Sequence, residues 1–124
     1  MSDLPQNALV WAEIPVSDLD KAITFYSAVT GGSLNRNESG PNPIADFQTL
    51  DNGVALHLYP GKPAEDGRGS TLHLASSGTL EETMDRVKDA GGNVVSPIID
   101  IPPGRFFYAT DPDGNSLGFF RPRS

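Results

Sequence analysis

The chain has 124 residues, of which 9 are lysine or arginine and 16 are aspartate or glutamate, giving a net charge of −7. This length suits one domain with a hydrophobic core, and the acidic surface predicts that the chain does not bind nucleic acid or anionic membranes. Cysteine is absent, which excludes disulfides, thiolate metal ligands and a cysteine nucleophile. The first residues lack the basic start and apolar run of a signal peptide, so we expect a cytoplasmic protein.

The first half of the chain predicts a strand, a helix and three further strands. Residues 8–14 are short and apolar, which is typical of a strand. Ser17 is predicted to cap a helix that carries apolar residues at helical spacing and ends at residues 31–32 (Gly-Gly). Residues 51–53 (Asp-Asn-Gly) predict a hairpin turn. The three strands are expected at about 33–36, 44–50 and 53–59.

The second half repeats this order after a glycine- and proline-rich linker at about 61–70. A capping box formed by Thr79 and Glu82 predicts the start of its helix. Its strands are expected at about 71–76, 93–97, 104–110 and 115–121. Matching residues lie 60 to 62 positions apart, so the two halves read as an internal repeat. The alternative is two unrelated α+β segments with similar turns.

Several stretches of the chain together resemble one known family. They are residues 14–22 (Ile-Pro-Val-Ser-Asp-Leu-Asp-Lys-Ala), 25–26 (Phe-Tyr), 91–94 (Gly-Gly-Asn-Val), 104–107 (Gly-Arg-Phe-Phe) and 111–115 (Asp-Pro-Asp-Gly-Asn). The last stretch, followed by an apolar strand, is the most specific. Nearly the whole chain thereby resembles the vicinal-oxygen-chelate (VOC) superfamily of glyoxalases, bleomycin-resistance proteins and extradiol dioxygenases.

The resemblance implies an α+β fold in one domain, residues 1–124, with the glyoxalase-like arrangement. Two tandem βαβββ modules, at about 7–60 and 71–122, would form curved, cup-like mixed sheets. The family pairs such cups around a cavity, usually in a homodimer. The implied partners are therefore a small-molecule ligand and a second copy of the chain.

Metal-dependent members of the family hold a divalent cation with four residues. The resemblance places these positions on Trp11, Leu56, Thr71 and Gly118. Because these side chains offer almost no metal-binding atoms, we predict no metal cofactor. A slip of one residue in the strand would place His57 in the cup instead of Leu56. Without that slip, His57 is expected on the convex face or in an interface.

Glu13 and His73 are the candidate catalytic residues. Glu13 shares a strand face with Trp11, His73 shares one with Thr71, and a shift of 60 makes Glu13 and His73 counterparts. They could form an acid–base pair, or Glu13 could anchor a ligand. The alternatives are a structural carboxylate and a histidine satisfied within a half-buried strand.

The remaining candidates are expected to bind the ligand. Trp11, Phe107 and Phe120 would line an apolar pocket, with core packing as the alternative for each. Arg105 would clamp a carboxylate or phosphate, with a surface ion pair as the alternative. Two functional hypotheses follow: a metal-independent protein that binds a small organic molecule, or an enzyme of the lyase, isomerase or dioxygenase kind that uses Glu13 and His73.

Overall fold

The computed structural model describes residues 5–51 and 53–123. Within these residues the order β-α-β-β-β occurs twice, with one additional strand in the second half. The elements are β1 (Ala12–Val16), α1 (Leu19–Thr30), β2 (Leu34–Asn37), β3 (Ile44–Phe47), β4 (Leu56–Pro60), β5 (Leu72–Leu74), α2 (Leu80–Asp89), β6 (Asn93–Val94), β7 (Ile99–Ile101), β8 (Gly104–Thr110) and β9 (Ser116–Pro122). The predicted α+β class and the repeated order of elements are confirmed.

Each half of the chain builds one mixed sheet. The first sheet has the order β1-β4-β3-β2, and the second has the order β5-β9-β8-β6, with β7 paired to β8. In both sheets the first strand pairs in parallel with the last, and the other pairs are antiparallel. The strands β1 and β5 therefore both lie at a sheet edge.

One hydrophobic cluster joins the two halves through the sheet faces that carry the helices. Its fully buried members are Val16, Val29, Tyr26, Ala45, Leu58, Val87, Phe107 and Phe119. Because strand side chains alternate between faces, packing these residues inward leaves the opposite face of each sheet free of the helices. In the part of the chain that the structure describes, neither helix is long and apolar enough to cross a membrane.

The first helix begins one residue later than the sequence predicts. Asp18, rather than Ser17, is the cap, and its carboxylate accepts a hydrogen bond from the Lys21 amide at 3.1 Å. Ser17 instead donates its hydroxyl to Asp113 at 2.5 Å, in the second half of the chain. The predicted stop at Gly31 is confirmed, because this glycine takes the left-handed conformation with φ 77°.

Several strands are shorter than predicted or shifted by a few residues; β1, for example, runs over Ala12–Val16 instead of residues 8–14. Pro15 lies within β1, where a missing amide hydrogen is tolerated because this edge strand pairs on one side only. The strand β7 was not predicted, since its three residues stand between prolines at 97 and 102. The turn predicted at residues 51–53 includes Asn52, which lies outside the described residues; β3 and β4, on either side, pair antiparallel as expected.

The loop at residues 111–115 clamps the two halves together. Asp111 is 2% exposed and accepts hydrogen bonds from the Tyr26 hydroxyl (2.6 Å), the Asp113 and Asn115 amides and the Asn115 side chain (each 2.9 Å). The same Asn115 side chain donates to the Pro15 carbonyl at 2.8 Å. Burial, with the charge of Asp111 next in importance, raises the pKa of Tyr26 well above its ordinary value. The most specific family motif thus fixes the position of β1 and α1 relative to the second sheet.

Candidate functional site

The strand registers define a polar surface on the helix-free side of the first sheet. Glu13, His57, Asp46 and Asn35 lie side by side across the four strands. We call this surface the first open face. It comprises Glu13, Pro15, Asn35, Asn37, Ile44, Asp46, His57 and Tyr59, together with Trp11 immediately before β1.

Trp11, His57 and Glu13 form a chain of contacts on the first open face. The Trp11 indole Nε1 donates to His57 Nδ1 at 2.9 Å, and His57 Nε2 lies 3.2 Å from Glu13 Oε1. An indole nitrogen can only donate, so Nδ1 of His57 is the acceptor and, in the neutral ring, the proton sits on Nε2. The Nε2 proton of His57 therefore lies beside Glu13 Oε1 in a close polar contact, and the Glu13 side chain is 62% exposed, so its acceptor lone pairs remain open to solvent.

The helix-free side of the second sheet is aromatic instead. Around His73 stand Phe106, Tyr108 and Phe120, with ring centroids 5.3, 5.8 and 6.1 Å from the imidazole. We call this surface the second open face. Its strand residues are His73, Asn93, Ile99, Ile101, Gly104, Phe106, Tyr108, Thr110, Ser116, Gly118, Phe120 and Pro122. Desolvation lowers the pKa of His73 below its ordinary value, which favours the neutral ring.

Gly118 makes room for the His73 ring. The two residues are paired in register across β5 and β9, and a Cβ atom built on Gly118 would collide with the imidazole. The ring thus lies over the glycine, in the space that a side chain at position 118 would occupy. The resemblance places a metal ligand at position 118. Here glycine has no side chain that could bind a metal, and the face of the His73 ring, which offers no lone pair, fills the space instead.

The structure separates the two predicted catalytic residues. Glu13 contacts His57, and in the described part of the chain no hydrogen bond or ion pair joins Glu13 to His73. His57 lies on the open face beside Glu13, where the one-residue slip would place it, rather than on the convex side; its place in an interface stays a prediction. Leu56 packs against the core from the other side of β4 and lines a cleft with His73, so its role in ligand binding stays a prediction.

Two further predicted ligand residues lie on the helix side. Phe107 is fully buried and stacks on Phe119 in the core, so the alternative of core packing is correct for it. Arg105 forms an ion pair with Glu81 of α2 at 3.3 Å, as the surface alternative proposed. Trp11 and Phe120 are on the open faces, and Thr71 shares a hydrogen bond of 2.5 Å with Ser116.

Sequence reasoning missed Asp46, Tyr59 and Phe106. Asp46 stands between apolar neighbours in a short strand, and this alternation was a usable signal for an open face. Tyr59 lies two residues after His57 on the same strand, so the same alternation places it on the same face. Phe106 carried no such signal, because the run of three aromatic residues at 106–108 is apolar on both faces.

Several clefts border the sheets and the helices, and Glu13 and Arg68 line one of about 270 Å³ along β1. A cleft of about 390 Å³ lies between the two halves and is lined by His73, Ala75, Val54 and Leu56, among others. A larger groove of about 580 Å³ runs between α1 and α2 over Phe25 and Ala90. Its Arg86 is engaged by the Val29 and Ser77 carbonyls, and none of the candidate residues reaches it.

The side chains at the family's metal positions do not fit a divalent ion in this protomer. In residues 5–51 and 53–123, no three histidine, aspartate or glutamate side chains are grouped so as to hold one. His57 has donor atoms, but its Nδ1 is occupied by Trp11 and its Nε2 by Glu13. Thr71 is bonded to Ser116, and Gly118 has no side chain. The prediction that no metal is bound remains a prediction.

Comparison with known proteins decides the family. Residues 8–119 match the Glyoxalase/Bleomycin resistance protein/Dioxygenase superfamily. The chain belongs to this superfamily. A glyoxylase-like domain-containing protein from Didymella fabae is 28% identical over 116 residues, which cover 84% of this chain and 85% of that protein.

Solved structures of the superfamily share the fold. A glyoxalase/bleomycin resistance protein from Albidiferax ferrireducens T118 has a TM-score of 0.67 and 25% identity, covering 94% of this chain and 100% of that one. Another, from Streptomyces sp. CB03234, has a TM-score of 0.66 and 26% identity, covering 92% and 100%. These similarities confirm the glyoxalase-like fold that the motifs predicted.

Proposed function

We propose that this glyoxalase-superfamily chain binds a small organic molecule between the first and second open faces, without a divalent metal. The observation that carries the proposal is the contrast between these two surfaces on one repeated scaffold. The first presents two carboxylates, an imidazole and amide groups beside the rings of Trp11 and Tyr59, and the second presents four aromatic rings. A few polar groups beside apolar walls are the usual make-up of a small-molecule site.

We propose further that a homodimer completes the site. The segment before β1 exposes apolar side chains, with Leu9 53%, Val10 75% and Trp11 45% exposed. A second copy of the chain that covers this segment would remove apolar surface from water and enclose the open faces.

An NMR screen of a library of aromatic fragments tests this proposal. Binding should move the indole resonance of Trp11, which is the only tryptophan, together with ring resonances of Phe106 and Phe120. Sedimentation equilibrium should give twice the mass of the chain. If every fragment that binds moves only residues of the groove between α1 and α2, the open faces are not the ligand site.

A second candidate function is catalysis, with Glu13 as a general base. The short distance between Glu13 and His57 favours it, since a second group orients the carboxylate. The hypothesis from the sequence is a lyase, isomerase or dioxygenase in which Glu13 acts together with His73. An activity that is lost in both Glu13→Gln and His73→Ala supports that hypothesis. An activity that is lost in Glu13→Gln and His57→Ala but kept in His73→Ala shows instead that Glu13 acts with His57.

A further inference from the structure

The contact between Trp11 and His57 has a consequence for what the first open face can bind. These two residues stand at positions where metal-dependent relatives carry cation ligands, once the strand register is corrected from Leu56 to His57. Here they bond to each other at 2.9 Å. Because the lone pair of Nδ1 is taken by the indole, the imidazole presents no free acceptor to a ligand.

The hydrogen bond from Trp11 also determines the direction of the next contact. With Nδ1 as acceptor, the neutral His57 ring carries its proton on Nε2, which lies 3.2 Å from Glu13 Oε1. This polar contact involves one carboxylate oxygen and leaves the second for another donor. The Glu13 side chain is 62% exposed, whereas that of His57 is 15% exposed, so an incoming molecule meets the carboxylate first.

On the first open face the neighbours of Glu13 oppose anionic groups, whereas Arg68 stands off this face, in a cleft of about 270 Å³ along β1 that Glu13 also lines. Asp46 lies directly across from His57 on the neighbouring strand and adds a second carboxylate. Among the described residues that form the first open face there is no lysine or arginine. Arg105, the residue that the sequence suggested for anion binding, is on the helix side with Glu81.

Resting on the proposed function, we infer that Trp11 acts through His57 to hold Glu13 as the acceptor for an N–H or O–H donor of the ligand. Trp11 is thus a positioning residue, and Glu13 is the residue that touches the ligand. This half of the site selects amines, amidines, amides or alcohols attached to an apolar ring. It discriminates against carboxylates, phosphates and groups that need a metal ion.

Four probes of nearly one shape test the selection: benzamidine, benzamide, acetophenone and benzoate. Benzamide and acetophenone differ by the donor, and benzamidine and benzoate differ by charge and donor together. We expect benzamide to bind about tenfold more tightly than acetophenone, as one hydrogen bond to a charged acceptor implies. Benzamidine should bind at least as tightly as benzamide, and benzoate most weakly, in NMR titrations of the full chain.

Two substitutions and a control test whether Trp11 positions Glu13 for the ligand or only supports the fold. Trp11→Phe keeps a ring but removes the donor, so the preference for benzamide over acetophenone should fall about threefold or more while acetophenone binds as before. Glu13→Gln should remove most of the discrimination between benzamidine and benzoate. Asp85→Asn, an exposed carboxylate on α2, is the matched control and should change neither preference.

A spectroscopic signature tests the tautomer without any ligand. The chain has two histidines, so ¹⁵N-histidine spectra of wild type and His73→Phe assign both rings. In the wild type, Nδ1 of His57 should be unprotonated and Nε2 should carry a proton. In Trp11→Phe the two nitrogen shifts should move toward each other, as the tautomers begin to exchange.

Each outcome decides the inference. A proton on Nδ1 in the wild type, equal preferences in wild type and Trp11→Phe, or benzoate binding as tightly as benzamidine would each overturn it. Failure of all four probes to bind would overturn it as well. If benzoate and benzamidine both bind at the open faces with equal affinity, the proposed function stands while the donor selection fails.

Discussion

The two open faces share the parallel pairing of their first and last strands, but they carry different side chains. On the first open face, Glu13 on the edge strand pairs with His57 on the adjacent strand. On the second open face, the equivalent pair is His73 on the edge strand and Gly118 on the adjacent strand. On the first surface His57 accepts a hydrogen bond from Trp11 and also contacts the Trp11 and Tyr59 rings. On the second surface His73 packs edge-to-face against Phe106 and Phe120. The helix-facing sides of the same strands are apolar in both halves. The repeat is thus preserved where it builds the core, and the open positions carry different side chains.

The largest expected effect comes from breaking the clamp that holds the two halves in one arrangement. Asp111→Asn replaces one of two carboxylate oxygens by an NH2 group where four donors converge, so two of these donors lose their acceptor. We expect the free energy of unfolding to fall by about 3 kcal/mol or more in urea denaturation. Asp85→Asn, on the exposed side of α2, should change it by less than about 0.5 kcal/mol. A loss below about 1 kcal/mol for Asp111→Asn would show that the loop does not join the halves.

Gly118→Ala sharpens the comparison by disturbing the second open face alone. The added methyl collides with the His73 ring, which must leave its place among Phe106 and Phe120. Overpacking of this kind costs about 1 kcal/mol when the displaced ring is partly exposed and can move. Aromatic NMR resonances of the second face should shift, while the Trp11 indole stays in place. Gly40→Ala, where an added methyl meets nothing within 4 Å, is the matched control; equal shifts in both variants would contradict the packing described.

The fluorescence emission of Trp11 in His57→Ala and in His73→Ala distinguishes the two open faces. His57→Ala removes the acceptor of the Trp11 indole, so tryptophan emission should move to longer wavelength as water replaces the imidazole. His73→Ala should leave the emission unchanged. Because the two partners of His57, Trp11 and Glu13, are exposed, we expect at most about 1 kcal/mol of stability loss in His57→Ala. Identical spectra for wild type and His57→Ala would mean that Trp11 does not engage His57 in solution.

The smallest effect is a pH dependence that belongs to the second face. Burial lowers the pKa of His73 in the folded state, so below its ordinary pKa of about 6.5 the unfolded chain takes up a proton more readily than the folded chain. The free energy of unfolding should therefore fall as the pH drops through that value and toward the lower folded pKa. His73→Gln should make this part of the curve flatter in urea denaturation at pH 7.5, 6.5 and 5.5 (about one unit either side of the ordinary pKa). A curve for His73→Gln as steep as that of wild type would assign the dependence to other groups.

The sequence predicted the repeat and the fold, because helix caps, glycine stops and strand periods are local signals. The capping box at Thr79 and Glu82 forms as predicted, and so does the left-handed stop at Gly31. The family motif at residues 111–115 was identified, although its role as a clamp depends on Tyr26, which is 85 residues away from Asp111 in sequence.

The candidate site was predictable only where polar and apolar residues alternate. Leu-His-Leu-Tyr at residues 56–59 already alternates, and its period favours the placement of His57 that the structure adopts. For Phe106 and Phe107 the period carries no information, so the choice between them depends on the pairing with β9. The contact between Glu13 and His57 depends on the parallel register of β1 with β4, which no local pattern encodes.

A crystal structure with the tightest-binding fragment of the aromatic screen tests the central claim most directly. The account predicts that the fragment lies between Trp11 and Glu13 on one side and Phe106 and Phe120 on the other, with no metal ion beside it. A fragment seated in the larger groove between α1 and α2, or one held by an ion on His57, would contradict it.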